Sequence, residues 1–234
     1  MKQKVGERDS FKKGLTTLMI KWVVFLIGLL VLATGGAFMI KSAYGSATWD
    51  VLHIGLSLKS GWSIGLWVQI VGLLMIGIAC LIDRKKPQVG SFINIILIGF
   101  FLDGMLRLPI YPSHMLWWES LLFLFGGICI LGFGAGMYVA TGLGAGPRDG
   151  MTLVLAKKTG LSIRLVRTLL EGTALLLGWL LGGPVAAGTF LSVFLIGPVM
   201  QASIGFWRKQ MARLDEKEES LVPVTEPVLK VNDL

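Results

Sequence analysis

Long apolar stretches separated by short polar segments dominate the chain, and their lengths decide its class. A membrane-spanning helix needs about 20 mostly apolar residues. Six stretches meet this requirement, at residues 15–40, 64–82, 90–108, 115–140, 163–181 and 185–206. Two longer connections, 41–63 and 141–162, have room for a short helix but not for another span. The pattern predicts an all-α polytopic membrane protein with six transmembrane helices.

The composition agrees with a protein that is surrounded by lipid. Charged residues make up 15% of the 234 residues, whereas a soluble domain carries about 25%. Apolar residues reach 54%, and the mean hydropathy is +0.73. The net charge of +8 comes from Lys and Arg residues at the ends of apolar stretches, as is typical of membrane proteins. We therefore expect the lipid bilayer as a partner and no nucleic acid.

The positions of the basic residues predict the topology. If the N-terminus is cytoplasmic and every stretch crosses once, all of the 22 Lys and Arg residues except Lys41, Lys59 and Arg107 lie on the cytoplasmic side. Cytoplasmic loops carry such an excess, so we expect a multi-pass plasma-membrane protein with both termini cytoplasmic. Residues 1–14 then form a basic N-terminal segment, and 207–234 a disordered tail.

The two halves of the chain share an order of glycine, serine and aspartate residues. A shift of 99 positions places Asp50 on Asp149. The same shift pairs Gly45 with Gly144, Gly61 with Gly160, Ser63 with Ser162, and Ile64 with Ile163. Because three spans is an odd number, the second half must start from the opposite face of the membrane. We expect a 3+3 inverted repeat, 15–110 and 111–206, with an extra short Asp-bearing helix in each half.

The residues around these aspartates resemble those of the YczE/YitT group of bacterial integral membrane proteins, and are closest to its YczE-like members. The likeness is carried by Trp49 and Asp50 in the first half and by Pro147, Arg148, Asp149, Gly188 and Thr189 in the second. Thr48 stands where that group often has proline, and Arg148 where tryptophan is expected. The resemblance implies a polytopic plasma-membrane protein and no settled biochemical activity.

Asp50 and Asp149 are the first candidate site residues, and two interpretations are open. Thr48 suits the N-terminal cap of a helix and Pro147 suits the first helical position, so each aspartate would lie near a helix N-terminus. In one interpretation each carboxylate only compensates the positive end of its own helix. In the other, the two short helices dip into the membrane from opposite faces and meet an ion or polar solute near the midplane.

Polar residues within the predicted spans form the second candidate set. Asp103 is followed one helical turn later by Arg107. The residue equivalent to Asp103 in the other half is Gln201. Glu171 follows Arg167 at the same spacing. An unpaired charge in the bilayer centre costs at least about 2.5–3.5 kcal/mol. Such residues therefore either pair to pack helices together or line a polar pathway, here formed by Asp103, Arg107, Glu171 and Gln201.

The sequence contains no recognisable nucleophile, metal-ligand or cofactor-binding motif, so we expect no enzyme, no metal and no cofactor. The architecture predicts a small transporter or permease-like protein for a small polar or anionic solute. The alternative is a non-transport accessory or scaffold protein that supports a cytosolic enzyme system through its loops and tail. Because the bundle is small, a homodimer is a further hypothesis.

Overall fold

A computed structural model describes residues 2–84, 86–112, 114–144 and 146–219, with side chains in those ranges from 15 to 214. The helices are α1 Lys2–Lys41, α2 Thr48–Ser60, α3 Ile64–Asp83, α4 Val89–Arg107, α5 Trp117–Ala140, α6 Pro147–Thr159, α7 Ile163–Leu180 and α8 Ala187–Glu219. No strand occurs in these ranges. The predicted all-α class is confirmed.

Five helices in the described part of the chain are long and apolar enough to cross a membrane. They are Leu15–Lys41, Ile64–Asp83, Val89–Arg107, Trp117–Ala140 and Ala187–Leu214. The 18-residue α7 differs from them because it carries Arg164, Arg167 and Glu171. The chain is thus a membrane protein with several apolar helices, and the sixth span stays a prediction. With 13 residues each, α2 and α6 are only about 20 Å long and too short to span.

The first and last helices extend beyond the predicted spans. α1 begins at Lys2, within the segment assigned to a basic N-terminus. α8 continues to Glu219, so residues 207–219 are helical, and the expectation of a disordered tail is wrong for them. Lys, Gln, Met, Ala, Arg, Leu and Glu dominate this extension, and all are strong helix formers. Residues 220–234, the rest of the predicted tail, lie outside the described residues.

The repeated glycines and serines form the same local structure in both halves. Gly61 and Gly160 end the short helices α2 and α6 in the left-handed conformation, with φ of 76° and 73°. A glycine adopts this conformation without steric cost. Ser63 and Ser162 then cap α3 and α7, each by accepting a hydrogen bond from an amide of the first turn. Thr48, in contrast, is the first residue of α2 rather than its cap; Ala47 occupies the cap position and makes no side-chain hydrogen bond.

Helices α1 and α5 form the centre of the bundle and cross in an antiparallel direction. A Cβ atom on Gly28 would lie 3.2 Å from the carbonyl oxygen of Gly134, and one on Gly35 would lie 2.7 Å from that of Gly127. Small residues let helix backbones approach this closely in membrane proteins. The repeat offset of 99 pairs Gly28 with Gly127 and Gly35 with Gly134. The two glycine contacts of the crossing are therefore equivalent to each other under the repeat.

Each turn that precedes a short helix packs on the start of a helix from the other half. After α1, the carbonyl of Tyr44 accepts a hydrogen bond of 2.8 Å from the amide of Gly188, at the start of α8. After α5, a Cβ on Gly144 would lie 2.5 Å from the backbone nitrogen of Ser91, at the start of α4. In addition, α2 packs on α7 and α6 packs on α3. The two halves therefore interlock, and each short helix packs on a helix of the other half.

Candidate functional site

The N-terminal ends of α2 and α6 open onto one central cavity of about 360 Å³. Trp49 and Arg148, the second residues of the two helices, are in contact there: the guanidinium carbon lies 5.8 Å from the centroid of the indole ring. This is a cation–π arrangement. The two residues also lie at equivalent positions, 99 residues apart. The ends of the two short helices thus meet in the middle of the bundle.

All eight helices contribute to the cavity wall, and most of the charge comes from α2, α6 and α7. The polar side chains in the wall are Thr48, Asp50, His53, Asn94, Tyr138, Arg148, Asp149, Thr152, Arg164, Arg167, Thr168, Glu171 and Ser192. The remaining wall is apolar and is formed by residues such as Leu32, Met75 and Ile196. A mostly apolar cavity with convergent polar groups is the usual form of a small-molecule site.

The carboxylates of the cavity differ in how far they are compensated. Arg167 donates a hydrogen bond of 2.7 Å to Asp149, and its Nε lies 3.7 Å from Glu171, as the spacing on α7 predicts. Asp50 Oδ1 lies 3.7 Å from His53 Nδ1, beyond hydrogen-bond distance. Arg148 has no carboxylate within ion-pair distance among the described residues. The arginine beside the two helix ends therefore keeps its charge available.

Two buried polar atoms in the cavity wall lack a hydrogen bond of good geometry within the described ranges, although His53 lies beside Asp50 and Asn94 beside Tyr138. They are Nδ1 of His53 and Nδ2 of Asn94, in residues that are 6% and 2% exposed. An unsatisfied buried polar group costs about 1–3 kcal/mol. Because both residues line the cavity, a polar solute in it could supply the missing partners. These two atoms are an indication of a binding site that is independent of the helix ends.

Of the second candidate set, the structure brings only Glu171 to the cavity. Asp103 accepts a hydrogen bond of 2.7 Å from the amide of Gly65 and so satisfies the first turn of α3. Arg107 is exposed in the last turn of α4, and in the described part of the chain it makes no ion pair with Asp103. Gln201 is exposed on α8. These three residues therefore do not form a common pathway with Glu171.

The motif residues separate into cavity residues and packing residues. Asp50, Asp149, Trp49, Pro147 and Arg148 all line the cavity. Gly188 and Thr189 instead hold the start of α8 against the turn after α1, and Thr189 is fully buried. The described residues contain no group of three or more His, Cys, Asp or Glu side chains that could hold a metal ion.

Sequence reasoning missed seven polar residues that line the cavity: His53, Asn94, Tyr138, Thr152, Arg164, Thr168 and Ser192. His53 follows Asp50 by three positions, and this spacing on a helix was a signal that the two share a face. Asn94 and Tyr138 had no comparable signal, because a single polar residue in a span more often bonds to a neighbouring helix. Only the packing of α4 and α5 around the short helices brings them to the cavity.

The architecture defines a multi-pass membrane protein: an all-helical chain in whose described part five helices are long and apolar enough to span. The chain belongs to the family DUF6198, described as a family of unknown function, which it matches over residues 19–204. The expected likeness to YczE-like membrane proteins is confirmed by this family match together with the relatives described next.

Three bacterial proteins are similar to this chain over most of its length. The "uncharacterized membrane protein YczE" of Bacillus subtilis (strain 168) is 35% identical over 188 residues, covering 80% of this chain and 86% of that protein. An "uncharacterized protein" of Haemophilus influenzae (strain ATCC 51907 / DSM 11121 / KW20 / Rd) is 33% identical over 191 residues, 82% of this chain and 84% of its own. The protein YyaS of B. subtilis is 30% identical over 185 residues, with coverages of 77% and 90%. No solved structure gives a significant match.

Proposed function

We propose that this protein is a small transporter that binds an anionic solute where the N-termini of α2 and α6 meet. The observation that carries the proposal is the contact between Trp49 and Arg148, which joins the two helix ends at the central cavity. Helix N-termini carry a partial positive charge and bind anions. In transporters with inverted repeats, such ends point at anionic substrate groups near the membrane midplane.

The proposal includes six spans in a 3+3 inverted repeat, with α2 and α6 re-entering the membrane. The matched contacts support it: exchanging each residue for the one 99 positions away converts the Gly28–Gly134 contact into the Gly127–Gly35 contact. In this arrangement α7 is the sixth span. It is about 27 Å long, close to the thickness of the hydrocarbon core. Its three charged residues line the cavity, so they have a polar surface to face.

The cavity wall carries three arginines and three carboxylates, so the placement of the donors rather than the net charge favours an anion over a cation. Asp149 is compensated by Arg167, whereas Arg148 has no such partner among the described residues. Arg148 also offers the planar donor fork that binds carboxylate or phosphate groups in a bidentate manner. Asn94, beside the hydroxyl of Tyr138, adds a buried amide donor. Transport would follow from rocking one half against the other, so that the site opens to each face of the membrane in turn.

The test combines binding with transport on the purified full-length protein. Inorganic phosphate, acetate, succinate and citrate are screened for an increase in unfolding temperature in detergent, because a ligand that binds the native state stabilises it. Arg148→Gln should remove the increase for any anion that gives one, and Arg148→Lys should retain part of it. Arg208→Gln, an exposed position on α8 outside the cavity, is the matched control.

Uptake of the stabilising anion is then measured in proteoliposomes. Uptake by the wild type that is lost in Arg148→Gln supports a transporter. Binding without uptake contradicts transport and favours the accessory-protein alternative. Equal temperature shifts in the wild type and Arg148→Gln contradict the proposed site.

A further inference from the structure

The two halves of the bundle differ at the contact between their last two helices. In the first half, Gly65 and Gly99 bring the backbones of α3 and α4 together. The repeat offsets of 99 and 98 pair these glycines with Arg164 and Gly197. A Cβ on Gly197 would meet no atom within 4 Å, and within the described ranges α7 and α8 show no such close packing. An arginine thus occupies the position of the glycine that closes the contact in the first half.

Helices α7 and α8 line two cavities in succession, and we call the α7–α8 surface that runs from one to the other the groove. At one end it belongs to the central cavity, where Arg164, Arg167 and Thr168 line the wall. At the other end is a second cavity of about 300 Å³, lined by Gly172, Leu175, Leu176, Trp179, Val185 and Phe190. The stripe on α7 from Arg164 to Trp179 measures about 22 Å at 1.5 Å per residue, which is comparable to an extended long acyl chain.

We propose that this groove is a lateral opening to the bilayer that takes a single-chain anionic amphiphile. The head group would lie beside Arg164 and the central site, and the acyl chain along Leu176 and Trp179. This inference rests on the proposed anion site and narrows its substrate class to anions that carry a long apolar chain. A small water-soluble anion would make no use of the apolar end of the groove, whereas an amphiphile matches both ends.

Charge and exposure support this occupant. Arg164 is exposed in the first turn of α7, and it has no carboxylate within ion-pair distance in the part of the chain that the structure describes. Leu176, Trp179 and Phe190 are 54%, 60% and 57% exposed. An anionic head group supplies the counter-charge for Arg164, and the acyl chain covers the apolar side chains. A single ligand thereby accounts for both ends of the groove.

The experiment is photolabelling of the purified full-length protein in nanodiscs of phosphatidylcholine. The probe is hexadecanoic acid that bears a diazirine on its chain, and hexadecanol with the same diazirine is the uncharged control. Labelled residues are mapped by mass spectrometry. The acid should label the Leu175–Trp179 and Phe190 segments in a saturable manner, and the alcohol should label them more weakly. Arg164→Gln should raise the half-saturating concentration of the acid about tenfold, as expected when one charge-assisted hydrogen bond is lost.

A matched pair of glycine substitutions tests the apolar end. A Cβ on Gly172 or on Gly104 meets no atom within 4 Å, and both residues are exposed, so leucine should be tolerated at either position. Gly172→Leu fills the groove and should reduce labelling. Gly104→Leu makes the same change on α4, away from the groove, and should not. If Gly172→Leu does not fold, the Arg164→Gln comparison and the wild-type label map still decide the question.

Four outcomes overturn the inference. Labelling that is equal for acid and alcohol and unaffected by Arg164→Gln would show non-specific lipid contact. Absence of label from the groove, while a small anion still stabilises the protein through Arg148, would remove the lateral opening and leave the proposed function standing. Absence of both would remove both proposals. A disulfide-linked dimer formed through Leu176→Cys in a background without Cys80 and Cys129, with the label excluded, would show that a second copy covers this face.

Discussion

The guanidinium of Arg148 lies over the indole ring of Trp49, with its central carbon 5.8 Å from the ring centroid. The ring is buried, whereas the arginine is exposed. Stacking on an aromatic face orients a guanidinium while leaving its N–H donors available. The contact therefore places a positive charge between two helix N-termini without neutralising it.

Removing the aromatic face should affect both stability and binding. Trp49→Ala leaves a cavity in the core cluster that Trp49 forms with Leu52 and Met75, and should lower the free energy of unfolding by about 3–5 kcal/mol. Trp49→Phe keeps an aromatic face and should lose less. Denaturation in detergent measures stability, and the anion-induced temperature shift measures binding. If Trp49→Phe loses the temperature shift as completely as Arg148→Gln, stacking on a ring is not what positions the guanidinium.

The charges of Asp149 and Arg167 beside the helix ends should change anion affinity in opposite directions. Asp149→Asn removes a carboxylate and releases Arg167, so anions should bind more tightly. Arg167→Gln removes the cation and should weaken binding. Each change should be about tenfold if one charge-assisted hydrogen bond is gained or lost. Titrating the same anion against both variants checks the direction. Weaker binding in Asp149→Asn would indicate that the carboxylate contacts a cationic part of the solute instead.

Asp103 should be important for stability rather than for binding. Its carboxylate accepts a hydrogen bond from the amide of Gly65 at the start of α3. Asp103→Leu leaves that amide without an acceptor and should cost about 1–3 kcal/mol. Asp103→Asn retains an acceptor oxygen and should cost less. Anion affinity should be unchanged in both variants that fold. If a stable Asp103→Asn protein loses the anion-induced increase in unfolding temperature, Asp103 takes part in binding the solute after all.

The crossing of α1 and α5 should not tolerate a side chain. A Cβ on Gly35 would collide with the backbone of Leu131, and such overpacking typically costs about 1–3 kcal/mol. Gly77→Ala is the matched control, because a Cβ there meets no atom within 4 Å and alanine is the better helix former. Thermal unfolding in detergent should separate the two variants. Equal stability would show that the helices can move apart without loss.

Cysteine accessibility in whole cells should decide whether α2 and α6 re-enter the membrane. Single cysteines at Thr48, Ser60, Pro147 and Lys158, in a background without Cys80 and Cys129, report on both ends of each short helix. The Thr48 and Pro147 sites should be shielded relative to Ser60 and Lys158, and the two helices should label from opposite faces. Free labelling at all four sites would make α2 and α6 surface helices and remove the physical basis for a central transport site.

Local features of the sequence were enough to predict the helices and many of the residues that end or cap them. Length and hydrophobicity identify apolar helices whatever their neighbours are. Gly61 and Ser63 mark a helix end and a helix start because their effects act within a few residues. The extension of α8 past residue 206 was missed, since the charge of that segment was given more weight than its helix propensity.

The sequence by itself determined that the chain forms apolar helices and that Asp50 and Asp149 occupy matching places in the two short helices. It did not determine that Arg148 would contact Trp49, that Asp103 would serve the first turn of α3, or that Asn94 would line a cavity. Those outcomes depend on which helices pack together, and the close glycine contacts between distant segments decide that. Side-chain partners separated by many residues are a property of the assembled bundle, so only the tertiary structure could select them.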